Sequence, residues 1–179
     1  AIKKLIYIHR AIYIYIHTYT TMAEKQVMVV GLDDSNHSFY ALEWTLDNFF
    51  NPPQSSSFRL IILHAKTAPT SVIGLAGPGS GDVIPLVEAD IKKAAERVVE
   101  KAKETCNSKS VTDFTVEVVE GDARNVMCDS VDKYHASVLV LGSHGYGAFK
   151  RAVLGSVSDY CSHNANCSVM IVKKPKTKP

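Results

Sequence analysis

From Gln26 onward, short apolar runs rich in β-branched residues alternate strictly with amphipathic stretches of helical period, and few folds accept that order. The runs are 26–32 (QVMVVGL), 58–65 (FRLIILHA), 114–119 (FTVEVV), 137–141 (SVLVL) and 168–173 (SVMIVK). Several are apolar almost throughout, as strands covered on both faces need to be. Between the first two runs, Phe39, Leu42, Leu46 and Phe49 share one helical face behind Asp33-Asp34-Ser35, which offers N-caps. Residues 85–106 and 123–134 read as two more helices, and a fourth is predicted near 156–163. Such an alternation of strand and helix predicts an α/β class domain, a doubly wound layer fold with right-handed crossovers.

The rest of the chain bounds that reading. With 179 residues, 46% of them hydrophobic, there is material for one core and one domain. A formal net charge of +2 projects no field that demands nucleic acid or an acidic membrane as partner. No apolar stretch is long enough to span a bilayer, so no membrane and no nucleic acid are expected among the partners. Cys106, Cys128, Cys161 and Cys167 form neither a CxxC pair nor a zinc-site spacing, which points to a reducing, cytoplasmic location. Residues 1–21 contain no Asp, Glu, Gly or Pro and alternate Ile with Tyr, His and Thr, as translated repetitive leader DNA would. They are expected to be a non-native or disordered extension, with the domain running over 22–179 and its core over 26–174. Residues 66–82, which hold Pro69, Gly74, Gly77, Pro78, Gly79 and Gly81, are expected to be a flexible loop.

In open α/β sheets, ligands sit beyond the carboxyl ends of the strands where strand order reverses. The most informative such end is the segment from Leu141 to Ser158, LGSHGYGAFKRAVLGSVS, a glycine loop between the fourth strand and the last helix. Gly142 and Gly145 let the main chain pass close to an anion, and Gly155-Ser156 places amides and a hydroxyl at the positive end of a helix. A polyphosphate suits this arrangement. The string GxxxxGK[ST] is absent from the chain, which removes the P-loop class, and the GxGxxG dinucleotide pattern fails because Lys150 stands at the third glycine position.

Gly142, two residues, Gly145, nine residues, then Gly155-Ser156 is a full match to G-2x-G-9x-G-[ST], and it resembles the ATP-binding signature of the universal stress protein family. The resemblance extends to Val30-Gly31-Leu32-Asp33-Asp34-Ser35 and Leu63-His64-Ala65, and the long inserted loop looks like that of plant members. It implies a single Rossmann-like α/β/α domain of three layers with a five-stranded parallel sheet of order 3-2-1-4-5. It also implies a site between the first and fourth strands and a homodimer, here through the last strand. Carried onto this chain, Asp33 would hold the ribose hydroxyls and the main chain at Ala65 would meet the adenine edge. Gly142, Gly145, Gly155, Ser156, Val157 and Ser158 would wrap the phosphates of ATP, or of AMP or ADP, with Mg2+ as an accompanying ion.

Plainer readings compete for several residues. Asp34 and Ser35 also suit helix capping, as does Asp122 in the Gly121-Asp122 pair after the third strand. His144, Lys150 and Arg151 fit a solvated loop, His64 a packed strand end, and Phe39, Tyr40 and Trp44 a core face. No second carboxylate motif accompanies Asp33, so efficient phosphoryl transfer is not visible. The leading expectation is an adenine-nucleotide-binding, stress-responsive regulatory protein. The alternatives are a slow ATPase and a redox or holdase chaperone using the four cysteines.

Overall fold

A computed structural model describes residues 25–68, 84–144 and 154–175. The extension at 1–21, nearly all of the glycine- and proline-rich loop, and Gly145, Lys150 and Arg151 lie outside the described residues. Every apolar run becomes a strand: β1 (Gln26–Leu32), β2 (Phe58–Lys66), β3 (Phe114–Glu120), β4 (Ala136–Gly142) and β5 (Ser168–Val172). All neighbouring pairs are parallel and the sheet order is β3-β2-β1-β4-β5. Among the described residues the helices are α1 (Asn36–Phe49), α2 (Ile84–Ser108), α3 (Ala123–Tyr134) and α4 (Ser156–Asn164), with a 3-10 turn at Pro53–Ser55 that the sequence pattern did not suggest.

Strand pleating divides the core in two. Met28, Val30, Leu60, Ile62 and Val140 pack against Phe39, Leu42 and Leu46 of α1 and Val98, Ala102 and Cys106 of α2. Val29, Ile61, Leu63, Leu139 and Leu141 face the other way, against Val126, Met127 and Val131 of α3 and Cys161 of α4. Successive side chains of a strand point to opposite faces, so one run of apolar residues feeds both layers. Phe39 is fully enclosed, whereas Tyr40 and Trp44 are half-buried against the same cluster. The expected loop at 66–82 begins later than its sequence suggests, because Lys66 continues β2. It pairs with Glu120 in register, and the two side chains form an ion pair at 2.9 Å.

The caps fall where the polar residues allow. Ser35 caps α1, its Oγ accepting from the Ser38 amide at 3.2 Å. Asp122 caps α3 and accepts from the Arg124 amide at 3.0 Å. The Arg124 side chain also donates to that carboxylate at 3.0 and 2.9 Å and holds it down to about 2, so this cap stays charged in mild acid.

Candidate functional site

The sheet order reverses between β1 and β4, and of the sequence-predicted residues Asp33 and Gly142 lie at the carboxyl ends of those two strands. The register pairs Val30 with Val140, so β1 ends at Leu32 beside the end of β4 at Gly142. Asp33 follows β1 directly. Its Oδ1 accepts from the Ser35 amide at 3.2 Å and from the Ser35 hydroxyl at 2.5 Å, which fixes the carboxylate over the start of α1. Ser38 secures the same turn by donating its hydroxyl to the Asp33 carbonyl at 2.8 Å. Ala65 stands near the end of β2, one residue past His64, whose Nδ1 lies 2.9 Å from the Leu32 carbonyl oxygen. That contact ties the second strand end to the first.

The signature loop is closed at its root. The Gly155 amide donates to the Ser143 carbonyl at 2.8 Å, and the Ser143 amide donates to Val172 at the end of β5, at 3.0 Å. The buried Ser143 therefore joins β4, β5 and the start of α4, a role no motif announced. Gly155 is the N-cap of α4 and supplies no side-chain hydrogen bond to it, unlike Ser35 and Asp122 at their helices. Its dihedrals, φ −75° and ψ 156°, are open to any residue, so backbone conformation does not explain the glycine.

The other members of the predicted set fare differently. Ser156 is exposed and Val157 half-buried at the head of α4. Ser158 is buried and gives its hydroxyl to the Gly155 carbonyl at 3.0 Å. Gly142 has a packing reason of its own: a Cβ there would lie 2.8 Å from the backbone carbon and oxygen of His37 and 2.9 Å from the amide nitrogen of Ser38. Asp34 is exposed and Ser35, not Asp34, caps the helix. His37, which sequence reasoning passed over, stacks against His144 with ring centroids 5.3 Å apart. No periodicity or spacing marks it. The donors in this corner suit an anion: main-chain amides at a helix start without a side-chain cap, and the Ser156 hydroxyl. Among the described residues no group of three or more His, Cys, Asp or Glu side chains is placed to hold a metal ion.

A family model described as the universal stress protein family matches residues 25–173. The chain belongs to that family. Among its relatives, universal stress protein PHOS34 of Arabidopsis thaliana is 29% identical over 173 residues, covering 87% of this chain and 64% of its own length. Universal stress protein PHOS32 of the same organism is 27% identical over 171 residues, covering 87% of this chain and 67% of its own. This universal stress protein chain thus spans about two thirds of those relatives. A crystal structure of a universal stress protein family protein from Arabidopsis thaliana with AMP bound superposes with a TM-score of 0.61 at 22% identity, covering 84% of this chain and 92% of that one. At that identity the likeness speaks to the fold. No described helix is long and apolar enough to cross a membrane.

The cysteines of this family member sit where thiols are quiet. Burial pushes both Cys106 and Cys161 up to about 12, and it raises the half-buried Cys128 and Cys167 as well. The thiolate is the reactive form, so a raised pKa means slow reaction near neutrality and a rate that climbs with pH. With iodoacetamide at pH 7, Cys128 and Cys167 are expected to label slowly and Cys106 and Cys161 to stay unlabelled until denaturant is added, as peptide mass mapping would read. Equal labelling of all four in the folded protein would contradict this.

Proposed function

We propose that this chain is an adenine-nucleotide-binding universal stress protein that acts as a stress-responsive regulatory switch, with ATP as ligand and AMP and ADP as its alternatives. One observation carries the reading. The full signature Gly142-x2-Gly145-x9-Gly155-Ser156 has its two described ends clasped together at the end of β4, on the side of the sheet's switch point across from β1, whose end Asp33 follows. A loop that only needed to turn from strand to helix would not need a glycine at 155, whose dihedrals any residue accepts. A phosphate against the α4 amides does need the space. Asp33 would meet the ribose and the main chain near Ala65 the base, and the AMP carried by the Arabidopsis neighbour fits such a ligand class. Bound Mg2+ would accompany the phosphates rather than belong to a protein cage.

Native mass spectrometry of freshly purified protein tests the reading. A mass increment of an adenine nucleotide, removed by unfolding, is expected, and protein that neither carries nor titrates with any adenine nucleotide would end it. The cytoplasm is the compartment in which such a protein would meet ATP.

The same reading includes a homodimer. β5 is an edge strand, free of proline, whose Val169, Met170 and Ile171 are half-buried. Apolar edges of this kind invite pairing with a second chain. Met170→Lys or Ile171→Lys is expected to give monomers by multi-angle light scattering, and a dimer of unchanged stability would put the interface elsewhere.

A further inference from the structure

Among the described residues, one buried side-chain polar atom has no hydrogen-bond partner: Nδ1 of His37. Such an atom is rare in a folded interior, because it has given up water for nothing, and a phenylalanine would fill similar space without that penalty. Its surroundings supply a reason for it. His37 is the second residue of α1, and its main chain lies so close to Gly142 that a Cβ there would approach the His37 carbonyl to 2.8 Å. Its ring rests on that of His144, inside the signature, with the planes inclined at 47°. The imidazole therefore bridges the start of α1 and the phosphate signature.

We infer that His37 is a nucleotide-binding residue outside the glycine signature, whose Nδ1 donates a hydrogen bond to a phosphate oxygen of the bound nucleotide. The inference rests on the nucleotide-binding reading above. Phosphate is favoured over sugar or base by the character of the corner. Two imidazoles side by side at the positive end of α1 can each turn a ring N–H toward an anion, whereas the acceptor-only carboxylate of Asp33 suits hydroxyls. Nδ1 of His144 already meets the Ser143 hydroxyl at 3.0 Å, so the uncommitted Nδ1 of the pair belongs to His37.

Isothermal titration of ATP into the full chain reads the prediction. His37→Phe keeps the ring contact and removes the nitrogen, and its affinity is expected to fall about tenfold to a hundredfold, as loss of one charge-assisted hydrogen bond implies. His37→Asn places an amide donor near the former Nδ1 and is expected to recover most of that loss. Unchanged affinity in His37→Phe overturns the assignment, as does a His37→Asn variant no stronger than His37→Phe. Wild-type protein offers a second reading free of any folding defect. With 15N-labelled histidine, saturating ATP is expected to shift the His37 Nδ1 resonance and saturating adenosine is not. A resonance indifferent to ATP, or moved as far by adenosine, overturns the phosphate contact. Absence of any ATP binding to the wild type would instead remove the nucleotide reading itself, and this inference with it.

Discussion

Gly155→Val is expected to abolish ATP binding and leave the protein folded. At φ −75° and ψ 156° a valine meets no backbone strain, and the position caps α4 through its main chain alone, so the helix keeps its start. What the side chain removes is room for a phosphate against the α4 amides. Two or three lost contacts at about 1.5–3 kcal/mol each weaken a micromolar site by at least about two orders of magnitude. Titration calorimetry with circular dichroism as the folding control decides it. A folded variant that binds ATP as tightly as wild type would reduce the signature to a turn and remove the main support for a nucleotide switch.

Gly142→Val should fail in the opposite manner, through stability. The added side chain would sit under 3 Å from main-chain atoms of His37 and Ser38, and backbone held in a helix cannot step aside as a flexible side chain can. Overpacking of this kind costs about 1–3 kcal/mol or somewhat more, which lowers the midpoint of thermal unfolding by roughly 3–10 °C. A melting temperature equal to wild type would mean that α1 moves off β4 without cost. The two variants together separate two glycines of one signature, one proposed to leave room for a ligand and the other packed against a helix.

That separation marks where sequence reading succeeded and stopped. β1 and α3 are legible to the residue because their signals are local: an apolar run that opens directly after Gln26 and ends at Leu32, and an Asp122 cap before Ala123. The ends of β2 and β3 are hidden because Lys66 and Glu120 are charged, and their pairing, in register and by ion pair, exists only once the strands are adjacent. Gly142 reads as an anion cradle in sequence. Its contact with α1 joins segments far apart in the chain, so no local pattern reveals it. Asp33 is placed correctly at the first strand end, yet the hold of Ser35 and Ser38 on its turn comes from α1 geometry. His37 has no signal at all, since an unsatisfied nitrogen is a property of surroundings rather than of residue type.

The hydrogen bond from the Gly155 amide to the Ser143 carbonyl uses only main-chain groups. Every amino acid carries a carbonyl and every one but proline an amide, so this closure persists when side chains at either end change. Residues between the two can then be exchanged, added or lost while the strand and helix they join keep their places. Lengthening a closed loop costs little, each doubling about 0.6 kcal/mol. Substitutions that leave both main-chain groups in place can thus alter the residues near this closure without releasing the end of β4 from the start of α4.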